Sequence, residues 1–467
     1  MMVSEPKAKT LGELRKSGYQ VVSVREEMRN NLMGKIRAEE LVFPGIVGFD
    51  KTVIPQLENA ILAGHDVIML GERGQAKSKL IRSLVNLLDD FIPIVAGCEI
   101  NDDPYRPVCY ACRQKELEQG DDLEISWLPR AERYSEKLAT PDISIADLIG
   151  EIDPIKIAEG RYLSDELAIH YGLVPRTNRG IFCINELPDL AERIQVGLFN
   201  LMEERDVQIK GYKVRLLLDV YVVSTANPED YTNRGRIVTP LKDRYGSQIH
   251  THYPKTIEDE ICIMDQERSL FPDEDNLIIP YFMKEILAEI TAQARSSSEI
   301  NQRSGVSVRV SISNLEILLS NSVRRSIRHG DTLACPRVSD LPYIVASFGG
   351  KIELETFEEG REGRVMEDLT KRAVLRVFGA YFDVADLEEI VTAFDLGNSA
   401  ETGSEKRATE YLDLVKKLDG LSAAVSKLTE DKRPEVVASA AEFVLEGLHL
   451  NRKLNCERTA MGYLYNR

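Results

Sequence analysis

Gly71-Glu72-Arg73-Gly74-Gln75-Ala76-Lys77-Ser78 stands between an apolar run, Val67-Ile68-Met69-Leu70, and a stretch with apolar residues at helical spacing from Leu80 to Leu88. Strand, glycine-containing loop, Lys-Ser and helix, in that order, are the layout of a phosphate-binding loop. Glycines let backbone N–H groups turn inward around an anion, and a helix N-terminus adds partial positive charge. Lys77 is placed to reach the β- and γ-phosphates, and the Ser78 hydroxyl to ligate Mg²⁺. The residue before the lysine, commonly glycine, is Ala76; alanine is tolerated there if its φ is negative. Gly71 to Ser78 are therefore the expected nucleotide-binding residues, with ATP and Mg²⁺ as ligands.

Working outward, the chain alternates apolar strands with helices through its first half. A second strand is expected at Ile92–Ala96, and 97–140 read as irregular. Gly180-Ile-Phe-Cys-Ile-Asn185-Glu186 is a buried strand ending in two polar residues, followed by a helix from Leu190 to Met202. Val207 to Leu218 reads as a hairpin around Lys210-Gly211. Val220-Tyr-Val-Val-Ser-Thr225 is another buried strand, ending at Ala226-Asn227-Pro228, and a last strand is expected at Gln248–His252. Such alternation indicates an α/β sandwich with a mainly parallel sheet. From 256 onward the pattern is helical, and Gly397–Ser404 reads as a flexible linker. The expected divisions are an N-terminal helical segment (1–42), a nucleotide-binding αβα core (43–255), a helical lid (256–350) and a C-terminal helical extension (351–467).

A P-loop enzyme needs an acidic strand end beside its phosphate loop to organise the metal's water shell and to polarise the attacking water. Glu186 is the candidate general base. Asn185, where an aspartate is usual, accepts from a metal-bound water without bringing charge. Asn227, at the next strand end, is placed to touch the γ-phosphate.

Together these stretches resemble the magnesium-chelatase/MoxR branch of the AAA+ ATPases over about residues 43–345. Ser224-Thr-Ala-Asn-Pro-Glu-Asp and Thr239-Pro-Leu-Lys-Asp-Arg244-Tyr add to the likeness. The resemblance implies a P-loop AAA+ αβα sandwich with a helical lid. In it Lys77 and Ser78 are the Walker A pair, Asn185 and Glu186 Walker B, and Asn227 sensor 1. Ser78 and Asn185 serve the metal. Arg244 is the arginine finger offered to a neighbouring subunit, since a planar guanidinium spreads over the transferring phosphoryl oxygens. Arg309 is favoured as sensor 2, with Arg337 as competitor. The 146–179 stretch resembles a client- or pore-contacting insert. The implied assembly is a ring, expected to be a hexamer, that remodels or activates a partner. A separate protein carrying a von Willebrand factor A domain is the partner the resemblance implies. A magnesium-chelatase subunit and an ATP-binding switch with little hydrolysis are the other two readings.

Composition narrows the classes. With 467 residues, about three compact units of ~150 residues are expected. A net charge of −17 argues against non-specific nucleic-acid binding, which needs clustered Lys and Arg. The lack of an apolar run of about 18 residues argues against a membrane span. A cytoplasmic protein is expected, and seven cysteines suit thiols rather than a disulfide framework. Cys109-x-x-Cys112, with Cys98 upstream, has zinc-ligand spacing but no evident fourth ligand, so free thiols are the expectation. His250 and His252 read as packing and surface residues, Lys210 and Lys213 as a solvated hairpin tip, and Glu358–Arg364 as a solvated loop.

Overall fold

In a computed structural model the described residues are 8–153, 168–208, 215–227, 236–272, 274–302, 305–355, 361–459 and 462–467. The chain divides into two compact units, Met1–His252 and Tyr253–Arg467.

The first unit is built on a five-stranded sheet. Its strands are β1 (Val67–Leu70), β2 (Tyr134–Leu138), β3 (Gly180–Asn185), β4 (Val220–Ala226) and β5 (Ser247–His250), in the spatial order β5-β1-β4-β3-β2. All four pairings are parallel. β1, β3 and β4 are buried at every position, as a parallel sheet covered on both faces requires. The period-2 alternation of side chains splits them between two cores. Ile68, Leu70, Phe182, Ile184, Val220 and Val222 enter one core with the apolar residues of 190–202 and 237–245. Val67, Met69, Ile181, Cys183, Tyr221 and Val223 enter the other, with helices Val24–Arg37, Val53–Leu62 and Lys77–Ser83. This is an αβα sandwich.

The helix Val24–Arg37 is capped by Ser23, whose hydroxyl accepts from the Glu26 amide at 3.3 Å. It is pinned to the sandwich by a buried fork in which both terminal nitrogens of Arg133 donate to Glu27 at 2.6 Å. Asp66, just before β1, accepts from Arg25 at 2.6 Å, Arg205 at 2.7 Å and the Val222 amide at 3.0 Å. These bonds satisfy a buried carboxylate and fix where β1 starts.

The second unit is helical around one apolar core. Its long helices are Ile257–Glu267, Tyr281–Ala294, Val308–His329, Arg361–Tyr381 and Pro434–Leu450. Gly447 lets the last of these approach Arg361–Tyr381 closely: a Cβ there would lie 2.0 Å from the Phe378 ring. Val437, Ala441, Val444 and Leu445 are buried in this core, so the apolar face of the terminal helix is a packing face.

Several expectations are corrected. The strand expected at Ile92–Ala96 is Phe91–Val95, and it pairs antiparallel with Ile125–Pro129 outside the main sheet. The supposedly irregular 97–140 contains a helix, Tyr110–Gln119, and β2 itself. β2 escaped notice because Tyr-Ser-Glu-Lys-Leu is polar, as an edge strand tolerates. The single helix expected over Leu190–Met202 is two short ones, Glu192–Gly197 and Phe199–Glu203, preceded by a 3₁₀ turn at Leu187–Asp189. Gly397–Ser404 is not a loose linker. Ala400–Thr402 forms a strand against Tyr463–Asn466, with Ala400 and Thr402 buried. Arg361–Arg364 opens a helix rather than a loop, while 356–360 lie outside the described residues. So do Lys210, Lys213 and 154–167. The strands flanking these segments pair antiparallel, Asp206–Gln208 with Arg215–Leu217 and Gly150–Ile152 with Ile169–Tyr171.

Candidate functional site

The site lies at the C-terminal ends of β1, β4 and β3, neighbours in the sheet. Parallel register brings Leu70 level with Ala226, and Ser224 level with Ile184. The chain that leaves each strand therefore delivers its next polar residue to one edge, where open α/β sheets bind ligands.

The phosphate loop is braced from several sides. The Gly71 amide donates to the Ala226 carbonyl at 3.2 Å. Gln75 Oε1 accepts from the Glu72 amide at 3.1 Å and from the Thr251 hydroxyl, just past β5, at 2.8 Å. A Cβ at Gly71 would meet that hydroxyl at 2.0 Å and Gln75 Oε1 at 2.3 Å, so only glycine fits. Gly74 has φ +77°. Ala76 has φ +52° and ψ +13°, which corrects the condition set for it above. The loop needs a left-handed residue before the lysine whatever its side chain, and alanine holds that conformation at a cost of about 1–2 kcal/mol. Arg73 and Ala76 are exposed, and Glu72 and Ser78 half-buried.

Lys77 is buried, with its ammonium aimed at the loop. It donates to the Gly71 carbonyl, to the Glu72 carbonyl at 2.6 Å and to Asn227 Oδ1 at 2.9 Å. The structure thus joins two residues 150 positions apart that the sequence placed in one site. Asn227 itself is buried.

At the end of β3, Asn185 Oδ1 accepts from the Thr225 hydroxyl at 3.3 Å, and its amide donates to Glu136 of β2. Glu136 was missed by the sequence reading, because β2 was missed. Its carboxylate also receives a fork from Arg82, at 2.8 and 2.9 Å. Those hydrogen bonds hold its carboxyl below the usual carboxylate range, with partial burial opposing them. The negative charge absent at position 185 is thereby present on the neighbouring strand. Glu186 is half-buried and left-handed, φ +56°, and its amide donates to the Thr225 hydroxyl at 2.9 Å. A strained non-glycine backbone at such a strand end is a recurring feature of functional sites.

Among the described residues, Arg244 makes its contacts elsewhere in the first unit. Arg244 sits on the short helix Thr239–Arg244. It donates to the Pro240 carbonyl at 2.8 Å and to Glu203, and stacks over the Phe199 ring at 4.6 Å. In the second unit, Arg309 is exposed in the first turn of Val308–His329. Arg337 is wholly buried, donating to the Lys406 carbonyl at 2.9 Å and lying 4.8 Å over the Tyr411 ring. That burial encloses its guanidinium within its own unit. His252 packs edge-on against Phe49 and shares a 2.8 Å hydrogen bond with Thr52, as a packing residue does.

A parallel sheet in the order β5-β1-β4-β3-β2, with a phosphate loop after β1 and polar residues at the ends of β3 and β4, defines an α/β P-loop fold of AAA+ type. No protein-family model matches the chain. Over 234 residues it is 30% identical to the magnesium-chelatase subunit ChlI homolog of Methanocaldococcus jannaschii, covering 48% of this chain and 58% of that one. Over 266 residues it is 30% identical to magnesium-chelatase subunit ChlI of Nostoc, covering 55% and 65%. The chain is similar to AAA+ ATPases of the magnesium-chelatase type, in line with the resemblance its motifs carry. It spans between half and two-thirds of the length of these relatives. A solved complex of subunits BchI and BchD of magnesium chelatase is similar over 70% of this chain, at 18% identity and a TM-score of 0.36, too low to bear on the fold. Among the described residues no helix is long and apolar enough to cross a membrane.

Proposed function

We propose that this chain is a Mg²⁺-dependent ATPase that works in the cytoplasm as a ring, a hexamer by analogy with its branch, and spends its cycle remodelling or activating a partner protein. The observation that carries the reading is the hydrogen bond from buried Lys77 to Asn227, which ties the phosphate loop to the end of β4 beside Glu186. A cationic head already held against carbonyl oxygens fits an anionic oxygen in the same place, and Gly71 leaves the loop the room it needs.

In this reading Lys77 exchanges its carbonyl partners for β- and γ-phosphate oxygens. Asn227 follows that exchange from the end of β4. Gly71, Glu72, Arg73, Gly74, Gln75 and Ala76 present their backbone to the phosphates, braced by Thr251. Ser78 and Asn185 hold the metal and its waters, with Glu136 contributing the charge that Asn185 lacks. Mg²⁺ supplies neutralisation of the phosphate oxygens. Glu186 orients and deprotonates the attacking water. Arg244 serves a neighbouring subunit after leaving Glu203, and Arg309 acts as sensor 2. The partner, a von Willebrand factor A-domain protein being the one the branch suggests, is a separate chain.

Two further readings have their own support. The relatives' names favour a magnesium-chelatase subunit. The neutral Asn185 favours a nucleotide-dependent switch with slow turnover. Steady-state ATP hydrolysis across protein concentration, wild type beside Glu186→Gln, separates them from the leading one. Turnover that rises with concentration and falls about 10²–10⁴-fold in the variant supports an assembled ATPase with Glu186 as base. Tight ATP binding without turnover, with or without candidate partners, leaves the switch. Porphyrin metallation in a reconstituted mixture would instead identify the chelatase subunit.

A further inference from the structure

We propose that Cys98, Asp102, Cys109 and Cys112 form a structural zinc site in the first unit, independent of the nucleotide chemistry. One ligand atom from each lies within 4.8 Å of all the others. Tetrahedral ligands around Zn²⁺ at ~2.3 Å stand about 3.8 Å apart, so closure asks only for small side-chain movements. The fourth ligand absent from the sequence pattern is Asp102, brought in by a turn.

The surroundings fit a bound cation. Asp102 is fully buried. Its Oδ2 accepts from the Cys109 amide at 2.9 Å, but Oδ1 has no hydrogen-bond partner. A buried carboxylate oxygen with nothing opposite it is costly unless a cation fills the gap. Backbone amides point at the sulfurs: Ile100 and Asp102 donate to Cys98 Sγ at 3.4 Å each, and Cys112 donates to Cys109 Sγ at 3.3 Å. Such donors spread thiolate charge and orient the ligands. A disulfide between two of the cysteines would leave Asp102 buried without a counter-charge. Three thiolates and a carboxylate select zinc over the hard cations Mg²⁺ and Ca²⁺. Four protein ligands close the coordination sphere, which marks a structural rather than a catalytic ion.

The ion would staple the turn after strand Phe91–Val95 to the start of helix Tyr110–Gln119, which Cys109 caps. That turn in turn touches the approach to β3. Asn178 donates to the Ile100 carbonyl at 3.1 Å, and Asn101 to the Arg176 carbonyl at 2.9 Å. The staple therefore supports the beginning of the strand whose far end carries Asn185 and Glu186.

The test is metal analysis of the full chain, purified without a histidine tag under reducing conditions. About one zinc per chain is expected after gel filtration. Cys109→Ser/Cys112→Ser should abolish it, and Cys335→Ser, buried in the other unit, should retain it. If the double variant fails to fold, wild type stripped by chelator and titrated with Co²⁺ decides the matter. Thiolate-to-cobalt charge transfer with tetrahedral d–d bands is expected at one equivalent, with affinity at least about tenfold weaker in Asp102→Asn. Wild-type chain that carries no zinc and binds no Co²⁺, with the three thiols freely reactive or joined in a disulfide, overturns the proposal.

Discussion

Both units bury charge in fixed pairs, Arg133 with Glu27 in the first and Arg325 with Asp340 in the second, but the first also holds a buried cation of another kind. In the second, Arg325 donates to Asp340 at 2.9 Å and to the Cys335 carbonyl at 2.6 Å, and both Arg325 and Asp340 are almost wholly buried. Glu442 accepts from the Ser339 amide at 2.9 Å and from the Tyr411 hydroxyl. Every partner belongs to the same packed core. In the first unit, Lys77 donates to carbonyls and an amide, partners that in the proposed function a phosphate replaces. Backbone strain divides the same way. Of the non-glycine residues with positive φ among those described, Glu39, Ala76, Asn101, Arg179, Glu186 and Arg205 fall in the first unit and only Arg452 in the second. Buried charge alone therefore does not mark a site. Exchangeable partners together with local strain do.

The sharpest way to break this comparison is a pair of charge removals. Arg325→Met leaves Asp340 buried with one partner fewer, and should cost about 3–5 kcal/mol in urea unfolding while the folded fraction still binds nucleotide. Lys77→Met should change stability far less yet weaken ATP binding by roughly a hundredfold or more, read by calorimetry. Equal stability losses in the two variants would erase the distinction. Next in size is Gly447→Ala. Crowding of Phe378 should destabilise the second unit by about 1–3 kcal/mol and leave nucleotide affinity unchanged.

A pH effect comes third. In the folded state the Arg82 hydrogen bonds hold the Glu136 carboxyl below the ordinary carboxylate value of the unfolded chain. This group's contribution is therefore fully present above that value and is lost as pH falls through the lower folded-state pKa. Glu136→Gln should flatten the acid limb of the stability profile. It should also raise the Mg²⁺ concentration needed for half-maximal turnover; an unchanged Mg²⁺ requirement would remove Glu136 from the site. The smallest effect is Ala76→Gly. Relief of the left-handed strain, offset by glycine's greater freedom in the unfolded chain, should stabilise by at most about 1 kcal/mol in thermal melts. An equal gain from alanine-to-glycine changes at ordinary helical positions would contradict the strain argument.

Much of this was legible in the residues. β1, β3 and β4 announce themselves because both faces are buried, so their apolar runs are continuous. β2 is invisible for the opposite reason: Ser135, Glu136 and Lys137 sit at a sheet edge, where polarity is permitted. Losing β2 also lost Glu136 and its link to Asn185, a relation that exists only across strands. Asp102 was missed as a cysteine neighbour for a similar reason, since the turn that folds it back leaves no spacing signature. Gly397–Ser404 misled by composition, because its strand is made by pairing with the C-terminal residues rather than by propensity.

The braces of the phosphate loop carry a consequence for how the protein is made. The loop is complete in sequence by residue 78, but the groups that hold it come much later. Asn227 lies 150 positions beyond Lys77, and Thr251 lies 176 beyond Gln75. Contacts of such span form late, because the intervening chain must first be ordered. On the ribosome, the braced form of the loop is not complete until Thr251 has emerged. A nascent chain stalled before Thr251 would carry every residue of the motif and still lack that brace.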